Sequence, residues 1–499
     1  MRQSGILMPV SSLPGRFGIG TFGKEAYAFV DFLKKSGQSL WQVLPLGPTS
    51  YGDSPYQSFS TFAGNPYFID FDLLERQGFL QSEDYEKIVW GEDPLRVDYK
   101  RLFDHRKKVF SKLFDRFQKQ PPADFDLFCR ENESWLADYA LFMALKDHFK
   151  GATFLKWEPG IRRREPAALQ KWREQLKTQT QLYQMLQYFF FKQWRALKNY
   201  ANDNGVRIIG DIPIYVAADS ADVWSDPQQF LLDENLKPTV VAGCPPDAFS
   251  KTGQLWGNPV YNWDYMKKQK YRWWETRLRF ALQVYDIVRI DHFRGFESFY
   301  CIKNGARTAK NGRWEKGPGM DLFSHLKRKI PHLPLIAEDL GFLTPAVKQL
   351  LKDSSFPGMK VLQFAFDSRE DSDYLPHNYT RNCVVYTGTH DNDTTCGWFA
   401  TADPKDVAFC KNYLRLNKRE GYHWGMIKAA FASVADTAII PMQDILGLSS
   451  SARMNIPSTV GGNWEWRCDK AAFSPALAKK LFGITDLYKR LVTAEERNG

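Results

Sequence analysis

The chain has 499 residues, 43% of them hydrophobic, and a formal net charge of +10. That apolar content excludes disorder as the default state, and the length exceeds one simple core unless that core is a barrel carrying insertions. The basic balance raises nucleic acid as a partner. However, the longest Lys/Arg block, Arg162-Arg163-Arg164, is closed at once by Glu165, so the surplus reads as a solvated surface.

The 16 Trp and 22 Tyr offer flat faces for stacking on sugars, although such rings also build ordinary cores. The seven cysteines, at 129, 244, 301, 383, 396, 410 and 468, are odd in number and form no Cys-x-x-Cys pair. That spacing argues against a disulfide framework or a zinc site and suits a reducing compartment. The segment from Met1 to Gly5 leads into a strand-like run broken by Pro9 and Pro14, without an apolar signal core. No apolar run reaches membrane-spanning length, so a cytoplasmic protein without membrane contact is expected.

In chain order, short apolar runs rich in Val and Ile predict strands at 6–10, 40–44, 206–209, 285–290, 334–337, 360–364, 383–387 and 437–442. Runs of that kind suit parallel strands buried on both faces. Between the first two, Ala26, Phe29, Val30 and Leu33 share one helical face and Gly37 marks its stop. About eight strands alternating with helices is the count of a TIM (β/α)8 barrel. A doubly wound sheet has the same periodicity and stays open as an alternative.

The spacing also predicts insertions. Residues 1–77 hold the first two strands, and 78–205 reads as an inserted helical subdomain. Trp135, Tyr139, Phe142 and Leu145 share a face there, as do Tyr183, Leu186, Phe190, Trp194 and Leu197. The third strand occupies 206–216. Residues 217–270 are punctuated by Pro and Gly, rich in Trp, and read as loops over the barrel mouth. The remainder, 271–499, completes the barrel. The expected fold is thus an α/β TIM barrel with mainly helical insertions over its C-terminal face.

Barrel chemistry sits where strands end and loops converge. Four ends deliver acids: Gly210-Asp211-Ile212-Pro213, Arg289-Ile290-Asp291-His292-Phe293-Arg294, Glu338-Asp339-Leu340-Gly341 and Gly388-Thr389-His390-Asp391-Asn392-Asp393. Glycosidic cleavage with retention needs a nucleophilic carboxylate and a protonated acid about 5–5.5 Å apart. Neighbouring strand ends, about 4.8 Å apart, supply such a pair. A third anion stabilises the charge developing at the sugar carbon. Arg289 and Asp291, two apart, face one side, so the guanidinium should hold the Asp291 carboxyl low. Glu338 follows an apolar run, and desolvation should raise its carboxyl.

A lone Asp after a strand is often a cap or turn residue, which is the plain alternative for Asp211, Asp339 and Asp393. His292 and His390 each adjoin a candidate carboxylate, so hydrogen bonding to substrate hydroxyls is favoured over metal ligation. The His/Cys spacing argues against a metal.

These strand ends, in this order, resemble the α-amylase superfamily, and more narrowly the 4-α-glucanotransferases of glycoside hydrolase family 77, the amylomaltases or disproportionating enzymes. The resemblance extends nearly end to end. It includes Ser11-Ser12-Leu13-Pro14, the run from Ser50 to Ser58, Gly253-Gln254-Leu255-Trp256-Gly257-Asn258-Pro259, Arg453-Met454-Asn455 and Gly462-Asn463-Trp464. It implies that Asp291 is the nucleophile, Glu338 the acid and then base, and Asp391 the transition-state stabiliser. It further implies a polar ring of Asp211, Arg289, His292 and His390. Ser54, Tyr56, Asp247, Gln254, Trp256 and Asn463 would line the sugar subsites. Ala248 stands where some relatives have an aromatic residue, and Ser458 follows Pro457 where many have Gly. The implied activity is disproportionation of α-1,4-glucans and maltooligosaccharides, with glucose as an acceptor and no metal or organic cofactor. A monomer or weak homodimer is expected. An amylase-type hydrolase, a non-catalytic glucan-binding protein and a nucleic-acid binder are the competing expectations.

Overall fold

A computed structural model of the chain describes residues 2–49, 51–246, 251–341 and 343–493. Its strands are β1 (Gln3–Leu7), β2 (Leu40–Gln42), β3 (Arg207–Ile212), β4 (Val240–Cys244), β5 (Gln254–Pro259), β6 (Ile287–Ile290), β7 (Ser298–Lys303), β8 (Arg313–Lys316), β9 (Leu335–Ala337), β10 (Gly358–Val361), β11 (Cys383–Tyr386) and β12 (Thr437–Pro441).

Eight of these close into a barrel in the order β1-β12-β11-β10-β9-β6-β3-β2. Every pair in it is parallel. The expected barrel is therefore present, and the doubly wound alternative falls. Closure satisfies the backbone on all sides of the sheet, which lets short apolar strands stay buried. Two expected strands begin and end earlier than their apolar runs. The first spans Gln3–Leu7, with Val10–Ser12 a 3-10 turn, and the sixth spans Gly358–Val361, with Leu362–Phe364 a 3-10 turn. Both runs stay buried past the strand end, so apolarity could not mark where pairing stops.

Within 78–205 the chain is mostly helical, ending in the long helix Lys177–Asp203. That helix seats the insertion on the barrel: Trp194 donates from Nε1 to the Val284 carbonyl at 2.9 Å, and its ring lies 5.1 Å from Phe22. The segment read as loops, 217–270, differs from expectation. It contains β4 and β5, which join β7 and β8 in an antiparallel sheet of order β5-β4-β7-β8. The β5 sequence Gln-Leu-Trp-Gly-Asn-Pro carries turn-forming residues and no apolar alternation, so its own residues do not mark a strand; it is an edge strand held by antiparallel pairing with the neighbouring β4.

The seam between β1 and β12 is closed from below. Arg490, fully buried, donates to the carbonyls of Gln3 (3.0 Å), Phe431 (2.9 Å) and Ala435 (2.9 Å).

Candidate active site

The site is built on β3, β6, β9 and β11. Register places Asp211 beside Arg289 and Ile290 beside Ala337, so the next residues, Asp291 and Glu338, leave neighbouring strand ends. Backbone bonds fix both: the Asp291 N–H donates to the Ile212 carbonyl and the Glu338 N–H to the Ile290 carbonyl, each at 3.0 Å.

Arg289 is 2% exposed and holds the centre. It reaches Asp211 through both carboxylate oxygens at 2.7 and 2.6 Å, Asp291 at 3.1 Å, and the Met359 sulfur at 3.4 Å. The Tyr56 hydroxyl donates to Asp211 at 2.8 Å. Tyr56 also stacks on His390 at 5.1 Å between ring centroids, with Trp464 beside both rings.

The Asp291 carboxyl is raised to about 6, contrary to the expected depression. Burial is the largest cause; Arg289 pulls the other way, and Asp211 and Asp391 add to the rise. The pull of Arg289 is outweighed by burial, with the nearby Asp211 and Asp391 charges adding to it. Glu338 is raised further, to about 8, by burial and then by the Asp291 charge. At neutral pH one proton therefore resides on Glu338 and Asp291 is the ionised partner, as two close carboxyls in a dry site require.

Both Glu338 oxygens accept backbone N–H groups, from His292 at 2.6 Å and Leu340 at 2.9 Å. The His292 bond depends on an unusual backbone: φ is 52° and ψ 49°, the left-handed region that non-glycine residues rarely occupy. Burial lowers the His292 imidazole to about 3, so it is neutral. Its ring meets Trp256 edge-on at 4.8 Å.

Asp391 takes the opposite state. Burial acts to raise its carboxyl, but His390 (3.4 Å) and the Asn455 amide (2.6 Å) together hold it well below the ordinary range. The site thus contains one carboxyl kept protonated, one able to attack, and one held firmly anionic.

Among the described residues, no group of three or more His, Cys, Asp or Glu side chains is arranged to hold a metal ion. No described helix is long and apolar enough to cross a membrane.

Residues 8–472 match the profile of glycosyl hydrolase family 77, described as 4-alpha-glucanotransferase. The chain belongs to the 4-alpha-glucanotransferase family. Its relatives include the 4-alpha-glucanotransferase of Clostridium butyricum, 50% identical over 97% of this chain and 100% of that protein. That of Thermus thermophilus is 46% identical over 98% and 99% of the two chains. Among solved structures, the amylomaltase from Streptococcus agalactiae in complex with acarbose superposes with a TM-score of 0.96 at 46% identity, covering 98% of this chain and 100% of that one.

For a 4-alpha-glucanotransferase read from sequence, most expected residues converge. Asp211, Arg289, Asp291, His292, Glu338, His390, Asp391, Tyr56 and Trp256 are connected by the contacts above. Gln254 joins through Trp256, whose Nε1 donates to its side-chain oxygen at 3.1 Å. Ser54 acts one step back, accepting the Tyr56 N–H at 3.3 Å. Asn463 sits beside Trp464 in the tail loop. Its amide is taken by its own loop, accepting from the Ile456 N–H at 2.9 Å and donating to the Thr459 hydroxyl at 3.0 Å. It shapes the loop through those bonds. Asp247 and Ala248 lie outside the described residues.

The sequence reading missed Asn455 as an Asp391 partner and Trp464 as the ring beside Tyr56 and His390. Both sit in the tail segments that carried the resemblance, yet neither follows a strand, so the strand-end rule could not select them.

Proposed function

We propose that the protein is a retaining glucan transferase that moves segments between α-1,4-glucans through a glycosyl ester on Asp291. The observation that carries this reading is the pairing of Asp291 and Glu338 on neighbouring strand ends, with the proton held by Glu338.

In the first half-reaction the ionised Asp291 attacks the anomeric carbon as its bond to the departing 4-oxygen breaks. Glu338 gives its proton to that oxygen, and the reducing-end segment leaves. Asp391, anionic and anchored by Asn455, stabilises the oxocarbenium-like transition state and grips sugar hydroxyls. Arg289 stays paired with Asp211 and compensates the acids' charge. Once Asp291 is an ester it bears no charge, so the second largest push on Glu338 disappears and its carboxyl falls. Glu338 is then suited to take the proton from an acceptor 4-hydroxyl, whose oxygen attacks the same carbon and releases Asp291. Two inversions leave the α configuration unchanged.

Glucose and maltooligosaccharides serve as acceptors in this reading. The β4–β5 region brings Gln254 and Trp256 to the cleft as a wall against water, favouring a sugar acceptor over hydrolysis. No disulfide joins any of the seven cysteines, which supports a cytoplasmic setting.

Incubation with pure maltotriose tests the proposal. Free glucose together with maltopentaose and longer products supports transfer; glucose and maltose alone would reduce the protein to a hydrolase.

A further inference from the structure

We propose that Asp444 is a positioning residue for Asp391, tying down both ends of the segment that carries it. The proposal rests on the role given to Asp391 above.

Asp444 lies in the short helix Met442–Ile445 directly after β12 and is 1% exposed. One of its oxygens accepts from the Thr387 hydroxyl at 2.5 Å, and the other accepts from the Thr395 N–H at 2.6 Å. Thr387 follows β11, and Thr395 begins the helix Thr395–Thr401. The chain between them carries His390 and Asp391. A single buried carboxylate therefore bridges the two feet of that loop.

What lies under the loop makes the bridge matter. A pocket of about 20 Å³, lined by Leu7, His390, Asp393, Pro441, Asp444 and Arg453, lies against it. That volume accommodates about one water molecule. Close packing does not fill this space, so hydrogen bonds carry more of the loop's placement here than in a tightly packed core. The middle of the loop is held by the Asn392 side chain, which accepts from the Thr389 N–H at 2.9 Å, and by Gln363, which donates to the Asp393 carbonyl at 2.8 Å. Those bonds shape the loop. Asp444 fixes its position relative to β11 and β12, and hence the distance from Asp391 to the sugar carbon.

Burying a carboxylate with Asp393 close enough to repel it is unfavourable. Geometry, more than charge, is the function that the position serves. An asparagine can keep both links: its oxygen takes the Thr395 N–H, and its amide donates to the Thr387 hydroxyl, which rotates to accept.

The test compares Asp444→Ala and Asp444→Asn on maltotriose. Asp444→Ala is expected to lower kcat about 100-fold with KM changed less than about 3-fold, the scale of a small misplacement of a reacting group. Asp444→Asn should recover to within about 5-fold of the parent. If the alanine variant fails to fold, Thr387→Val cuts one link and should lower kcat about 10-fold. A coupled comparison uses an α-maltosyl fluoride donor in an Asp391→Asn background, where Asp444→Ala should add less than about 3-fold. An additive loss there, or a lower melting temperature with unchanged kcat, would overturn the proposal. If Asp391→Asn itself turned over maltotriose normally, the assigned role of Asp391 would fail and this inference with it. A collapsed Asp391→Asn beside an unimpaired Asp444→Ala would overturn the inference alone.

Discussion

Arg289 contacts both oxygens of Asp211, at 2.7 and 2.6 Å, but only one of Asp291, at 3.1 Å. Its charge is thus shared unequally, and the Asp211 carboxylate itself pushes the Asp291 carboxyl upward. Asp211→Asn removes that push and frees the guanidinium. The acidic limb of the kcat/KM profile is expected to move to lower pH, even as turnover falls. An unmoved or upward-shifted limb would refute the shared-charge account.

The two raised carboxyls predict a bell-shaped dependence of kcat/KM on pH. The rate should climb as Asp291 loses its proton at about 6 and decline as Glu338 loses its proton at about 8, with the maximum between. Initial rates with maltotriose across that range check it. A rate still climbing at pH 9 would rule out Glu338 as the acid.

Glu338→Ala should depress maltotriose turnover by about 10⁴-fold or more, the upper range for a general acid–base group. Fluoride release from an α-maltosyl fluoride donor should be far less affected in its first turnover, because fluoride leaves without a proton. Asp291→Ala should abolish both reactions. Equal losses for the two donors in Glu338→Ala would remove the acid role.

Glu338 also predicts a pH-dependent stability effect. Its folded carboxyl is raised, so ionisation opposes folding: the associated stability is present below the unfolded value and is lost as pH rises through about 8. Glu338→Gln cannot ionise. Its melting temperature should therefore exceed that of the parent more at pH 9 than at pH 5, and thermal melts at both values check this. An equal difference at both would show that the carboxyl is not strained by burial.

The Asn455 amide holds Asp391 anionic at 2.6 Å. Asn455→Asp would set a second carboxylate against it and raise the Asp391 carboxyl. We expect kcat to fall by about 10–100-fold, the range for losing a supporting partner of a functional ligand, with Asn455→Ala intermediate. Parent-like kcat in the aspartate variant would exclude Asn455 as a support.

The barrel and its acids were legible because both depend on local rules: apolar runs bounded by turns, and carboxylates at their ends. Asp211, Asp291, Glu338 and Asp391 were found that way. The β5-β4-β7-β8 sheet was not, since β5 carries Gly, Asn and Pro and shows no strand pattern of its own, and only its pairing with β4 makes it a strand. The balance at Asp291 was misjudged for a related reason. The spacing of Arg289 revealed its proximity, whereas the burial that outweighs it, and the added push from Asp211, emerge only when the strands pack side by side. Asn463 was placed in the sugar groove by resemblance, and only coordinates show its amide committed to Ile456 and Thr459.

Arg490 touches Gln3 at one end of the chain and Phe431 and Ala435 near the other. Because Arg490 follows β12 in the sequence, a ribosome-bound nascent chain cannot make this fastening until residue 490 has emerged, and the first strand must wait for its last neighbour. A chain cut just ahead of residue 490 would expose carbonyls that now accept from the guanidinium. It should melt earlier and be clipped more readily by proteases than the uncut chain, with the first cuts near the β1–β12 joint.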